Sequence, residues 1–106
     1  MVDKEIVIII KDYLKKLEAK GVHISKAYLY GSQAKGIATI DSDIDLMLIS
    51  PLFDGNSDKY AGIVWFSASE VSYKLEPITV GEKKFLSDIY SPLIGIVKKE
   101  GIEIAA

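Results

Sequence analysis

Asp43 and Asp45 stand either side of one isoleucine and open directly into the apolar run 46–49, within the stretch LYGSQAKGIATIDSDIDLMLIS at positions 29–50. On a strand, residues two apart share a face and lie roughly 6.6 to 7 Å apart, so the two carboxylates point one way while Ile44 and Leu46 point the other. Met47 and Ile49 continue the carboxylate face, which makes the pattern two acids at a solvated strand end followed by burial. Glu76, Ile78 and Val80 repeat it later in the chain, again with the acid first. Carboxylates about 5 Å apart repel by roughly 3 kcal/mol per pair at an effective dielectric near 20. A cation is therefore expected among Asp43, Asp45 and Glu76, and an open, oxygen-only ligand set favours Mg²⁺ or Mn²⁺ over zinc.

Two other ways of using these residues fail on the letters. Asp41, Asp43 and Asp45 match the opening of an EF-hand loop, but Leu46 stands at its glycine position and Leu52 at its closing glutamate. Gly31 and Gly36 have the glycine spacing of a P-loop, yet Ile37 and Ala38 occupy the places of its lysine and hydroxyl residue. Asp41 and Ser42 read as turn or capping residues, and the lone His23, beside Gly21, as an exposed structural residue. Trp65 and Phe66 read as core or interface and not as a platform for stacking bases.

The elements that must position the acids can be read from periodicity. Residues 3–20 place Ile6, Ile9 or Ile10, Tyr13 and Leu17 at helical spacing, with Gly21 as a stop, although the β-branched run 6–10 would also suit a strand. Residues 24–30 and 43–50 read as strands, the second closed by Pro51 and the turn-rich 54–58. A helix over 58–73 puts Tyr60, Val64, Ala68 and Val71 on one face. A strand over 74–80 follows, then a short helix or turn over 81–90, and a last helix over 92–100 with Ser91 as its cap, Pro92 as its first residue, Lys98 and Lys99 near its end and Gly101 after it. A helix of this length between the second and third strands makes a right-handed crossover, so those strands run parallel and bring Glu76 beside the aspartates. The class is α/β (α+β), a mixed β-sheet flanked by helices.

Composition bounds the rest. At 106 residues, 49% of them hydrophobic, the chain 1–106 is the size of one domain. Its 13 basic and 15 acidic residues are mixed, so no basic stripe points to nucleic acid or anionic lipid, and no direct nucleic-acid binding is expected. The absence of cysteine removes disulfides, thiolate metal sites and thiol nucleophiles. The longest all-apolar run, 6–10, is five residues against the roughly 20 that a membrane span needs, and a cytoplasmic protein is expected.

Gly31-Ser32, ten intervening residues, then Asp43-Ile44-Asp45 on a strand and a later third acid: this combination resembles the minimal nucleotidyltransferase domain of the polymerase-β superfamily. The segments LEPITVGEKKF and SPLIGIVKKEGIEI resemble the ends of its small archaeal and bacterial members. The resemblance implies the nucleotidyltransferase fold. It also implies attack on the α-phosphorus of a nucleoside triphosphate, with Asp43 and Asp45 holding two metal ions and Glu76 binding the second ion and helping to deprotonate the acceptor hydroxyl. Gly31 would let the backbone approach the triphosphate, and Ser32 would offer a hydroxyl and an N–H to its β and γ oxygens from the start of a short helical turn. Gln33 and Lys35 stand where members often carry two arginines, which removes one positive charge and the bidentate contacts at both positions, and implies weaker nucleotide affinity.

Small proteins of this kind resemble the antitoxin halves of two-gene modules whose partner is an all-helical HEPN-domain toxin, to whose tyrosine they transfer AMP from ATP. The chain is expected to comprise the catalytic domain alone, so its acceptor comes from elsewhere. A binding module that neutralises its partner without catalysis is the alternative, and a small-molecule nucleotidyltransferase of the aminoglycoside-modifying sort, with a pocket between subunits, is another. Homo- or hetero-oligomers are compatible with all three.

Overall fold

A computed structural model describes residues 2–55, 58–87 and 91–105 of the chain. The β-branched run at its start is helical: α1 spans Lys4–Ala19. Two local signals decide this against a strand. The Asp3 carboxylate accepts the Glu5 N–H at 2.8 Å, satisfying a donor that has no partner inside the helix. Ile10, Tyr13, Leu14 and Leu17 then form a buried stripe at helical spacing, and Gly21 turns the chain away with φ +84°.

Four strands, β1 (Lys26–Tyr30), β2 (Ile44–Ser50), β3 (Leu75–Gly81) and β4 (Ile102–Glu103), form one sheet in the order β3-β2-β1-β4. β1 lies antiparallel to both β2 and β4, whereas β2 and β3 are parallel. The parallel pair is joined through α3 (Asp58–Val71), the crossover expected from sequence. A one-turn helix, α2 (Ser32–Lys35), follows β1, and a 3-10 turn at Pro51–Phe53 follows β2. After β3 come α4 (Glu82–Ser87) and α5 (Pro92–Glu100), the latter capped by Ser91, whose hydroxyl accepts the Ile94 N–H at 3.3 Å. The remainder of the short helix or turn expected over 81–90, residues 88–90, lies outside the described residues, as do Asn56 and Ser57 of the turn at 54–58.

β2 is covered on both sides. Ile44, Leu46 and Leu48 pack with the α1 stripe and with Val64 and Ala68 of α3 in one core. Met47 and Ile49 pack on the other side with Tyr30, Val80, Phe85 of α4, and Ile94 and Val97 of α5. A strand buried on both faces needs a continuous apolar run instead of alternation, which is why residues 46–49 carry no polar side chain. The helices α1 and α3 are also tied by the Tyr13 hydroxyl, which donates to the Val64 carbonyl at 2.8 Å in the interior. Burial pushes that phenol's pKa up.

Of the two readings of Trp65 and Phe66, core or interface, α3 overturns the first. Val64 and Ala68 are buried and Tyr60 and Val71 pack partly against the core, but Trp65 and Phe66 are 50% and 63% exposed and do not belong to it. Each residue advances a helix by about 100°, so positions one and two beyond Val64 rotate off the buried stripe. The Lys20 ammonium lies over the Phe66 ring, 5.1 Å from its centre. Among the described residues, no helix is long and apolar enough to cross a membrane.

Urea denaturation checks this assignment of inside and outside. Leu46→Ala is expected to lose about 2–5 kcal/mol of stability. Phe66→Ala, by contrast, should change it by less than about 1 kcal/mol.

Candidate active site

The carboxylate end of the sheet is built outward from Gly31. β1 ends at Tyr30, and Gly31 takes φ +74°, ψ −151°, a conformation open in practice only to glycine. A Cβ at this position would also collide with the Asp45 carboxylate, so the turn needs glycine both for its angle and for its proximity to that acid. α2 begins at the next residue and is closed by Gly36, in the left-handed region, whose N–H returns to the Ser32 carbonyl. The Lys35 N–H donates back to the Gly31 carbonyl at 3.1 Å, whereas those of Ser32, Gln33 and Ala34 have no acceptor within the helix. With one turn only, α2 can offer an anion those donors and the Ser32 hydroxyl, and little summed dipole.

The loop from α2 to β2 is pinned by Ser42, whose hydroxyl accepts the Thr39 N–H at 2.8 Å. That is the turn role expected of it. Asp43 follows, exposed, and Asp45 is the second residue of β2, half-buried. Asp45 is in register with Tyr30 on β1 and with Glu76 on β3, so the three side chains form a row across adjacent strands, about 4.8 Å apart in the direction of pairing. Glu76 therefore sits where the parallel crossover predicts. Pro77 after it is tolerated because β3 is an edge strand with no neighbour on its outer side among the described residues.

Four ionisable groups share this row and its end, and two of them, Asp45 and Tyr30, are shifted from their ordinary values. Burial raises the pKa of Asp45 and the neighbouring Asp43 charge raises it further. The Tyr30 phenol is pushed up to about 12, chiefly by burial and then by Asp45 and Glu76. Among the described residues, no lysine is paired with these acids. The Lys35 ammonium is 3.9 Å from Glu100 of α5, and that of Lys74 donates to the Ile40 carbonyl. The Gln33 side chain is buried and lines a cavity near the start of α1, whose lining includes none of Asp43, Asp45 and Glu76. His23 is exposed, with Nδ1 3.0 Å from Glu18.

Among the described residues, no three carboxylate, imidazole or thiol groups are close enough together to hold an ion as they stand. Asp45 and Glu76 share a face of the sheet, with Asp43 just before the strand at the same end, and the three do not form a closed set. Their donor chemistry nevertheless fits a hard divalent cation: all donors are oxygen, and the Asp45 carboxyl is raised by a like charge that a cation would offset. The member of the row that sequence reasoning overlooked is Tyr30. The signal was its place directly before Gly31, one strand step from the core-facing Leu29.

The sequence profile of the family described as Nucleotidyltransferase domain matches residues 7–104. A crystal structure from Sulfolobus solfataricus, described as a candidate nucleotidyltransferase and solved at 1.40 Å, superposes with a TM-score of 0.63 at 15% identity, covering 93% of this chain and 78% of that one. That likeness is one of fold. Among curated proteins none matches.

Charge repulsion at Asp45 has a measurable sign. A carboxyl whose pKa is raised in the folded state stabilises the fold while protonated, and that contribution is lost as pH rises through the raised value. In chelator, the melting temperature of Asp45→Asn should exceed that of the parent at pH 7, and the gap should close as pH falls below the ordinary aspartate value of about 4. Saturating Mg²⁺ should raise the parent's melting temperature and leave that of the variant unmoved, as read by thermal scanning.

Proposed function

The chain belongs to the nucleotidyltransferase domain family, and from that premise we propose that it transfers AMP from ATP to a hydroxyl of a partner protein. The observation that carries the reading is the row of Asp45 and Glu76 on parallel strands, with the Gly31 backbone packed against the Asp45 carboxylate. Asp43 and Asp45 would hold Mg²⁺ or Mn²⁺, with Glu76 brought in from the adjacent strand. When bound, the ion would supply charge neutralisation at the triphosphate and at the departing pyrophosphate.

The chain's own groups account for the other requirements. The Ser32 hydroxyl and the free N–H groups of α2 suit the oxygens of the outer phosphates, and Gly31, lacking a side chain, leaves the approach to Asp45 clear. Lys35 is more than half exposed and tied only loosely to Glu100, so its long side chain can reach toward an anion at the start of α2. Glu76 is the candidate base. The acceptor oxygen forms a new ester bond to the α-phosphorus, its proton passes to the Glu76 carboxylate, and the bond between the α-phosphorus and the bridging oxygen breaks with its electron pair leaving on pyrophosphate.

For the acceptor we propose a tyrosine of a HEPN-domain toxin, with this chain acting as the antitoxin. The adjacent exposed Trp65 and Phe66 on α3 support a protein partner, since large apolar side chains at the surface gain from being covered. A second reading, neutralisation by binding alone, is favoured by the acids not closing into a metal-ready set and by the pairing of Lys35 with Glu100.

Intact-mass analysis of the partner, incubated with ATP, Mg²⁺ and this chain, separates the two. Transfer predicts added adenylyl units that disappear with Asp43→Asn, Asp45→Asn, and a rate lowered roughly 100-fold or more by Glu76→Gln. A partner that is bound and inhibited yet unmodified would leave binding as the function.

A further inference from the structure

Beside α2 lies a cavity of about 450 Å³ bounded by the first turn of α1, the loop after α2 and Lys74, with none of the three acids in its lining. Gln33 lines it and is only 8% exposed, yet its amide has no hydrogen-bond partner among the described residues. No side-chain polar atom of the described residues is both sealed from solvent and unpaired, so that amide keeps access to solvent, and the cavity is the concavity that Gln33 lines. An amide in that position can exchange water for a ligand, and what it would take is one acceptor and one donor side by side.

The remaining walls narrow the chemistry of what would supply them. Ile6 and Ile40 are apolar, which suits a flat ring. Asp3 and Glu5 put two carboxylates at the rim against the single ammonium of Lys74, which is already engaged by the Ile40 carbonyl. That balance disfavours phosphate and favours a ligand carrying an amino group. A simple ammonium would satisfy the oxygen of Gln33 and leave its N–H groups unmet. An apolar side chain would satisfy neither. Adenine has an amino group beside a ring nitrogen, the pairing that a glutamine amide reads by two hydrogen bonds.

We propose that this cavity is an adenine-binding pocket and that Gln33 is the residue that reads the base. Only the source of the adenine rests on the transfer reading: it is either the base of the ATP, whose phosphates that reading places on the neighbouring Ser32, or a separate adenine nucleoside.

NMR titration of the full chain with adenosine and with inosine, which lacks the amino group, tests the pocket without metal or phosphate. Adenosine should shift the Gln33 side-chain amide signals and bind roughly tenfold or more tighter than inosine. Gln33→Leu, which removes the amide and keeps an aliphatic side chain in its place, should lose the preference. Ala38→Trp, which projects into the cavity from the loop wall without altering Gln33, should block adenosine and guards against a Gln33 variant that fails to fold. Equal affinity for the two nucleosides, no binding of either, or a preference that survives in Gln33→Leu overturns the proposal. Adenosine displaced by ATP with Mg²⁺ makes the pocket the base site of the nucleotide, and adenosine that still binds beside ATP makes it a separate site. A preference for adenosine in a protein that transfers no AMP overturns the transfer reading and leaves the pocket standing.

Discussion

Register between β2 and its two neighbours is the constraint on which the carboxylate end depends. Side chains alternate along a strand, so a slip of one residue would turn Asp45 into the core beneath α1 and α3 and expose Ile44 and Leu46. Burial on both faces makes that slip costly, since Leu46 and Met47 are each wholly enclosed but by different helices. The apolar run 46–49 thus does more than fill space. It fixes which face Asp45 occupies, and pairing with β1 and β3 then sets Tyr30 and Glu76 on either side of it.

The acids sit at that position against their own electrostatics. Asp43 and Asp45 repel, Asp45 is partly desolvated, and the Tyr30 phenol is raised by the charges of Asp45 and Glu76. A local arrangement of this kind persists only if the surrounding structure over-determines it. The over-determination is visible: two cores clamp β2, Ser42 pins the loop that delivers Asp43, and the Gly31 turn is fixed by an angle and a close approach that no other residue allows. Under the proposed reading, a bound cation would offset that charge and stabilise the fold.

Much of this was legible in the chain because it follows from short-range pattern. The α1 stripe, the crossover α3 and the parallel placement of Glu76 came from periodicity and from the handedness of connections. The acids came from alternation along a strand. What escaped had no period to reveal it. β4 has two residues and the 3-10 turn three, too few for either repeat to show. The core reading of Trp65 and Phe66 fails because their angle around α3, set by Val64 and Ala68, turns them outward, and only the interface reading is left. Tyr30 was passed over because its part in the row depends on which residue of β2 stands opposite, and that is a property of two strands together.

Gln33 shows why composition at a motif is a poor guide to the direction of a side chain. Read along the sequence, it sits between Ser32 and Lys35 and inherits their supposed task of facing phosphate. On α2, however, neighbouring residues diverge by about 100°, and one turn is enough to send Ser32 and Gln33 to different surroundings, with Gln33 nine-tenths buried in the cavity beside α1. A one-turn helix wedged between a sheet end and a helix start can therefore address two chemistries at once. Under the proposed readings, its free N–H groups would serve an anion on one side, and a single amide a hydrogen-bonding ring on the other. Replacing an arginine by glutamine at this position gives up a charge that could reach the phosphates. It leaves a neutral group that can be buried at far lower cost than a guanidinium, which is the condition for building a base-reading contact into so small a domain.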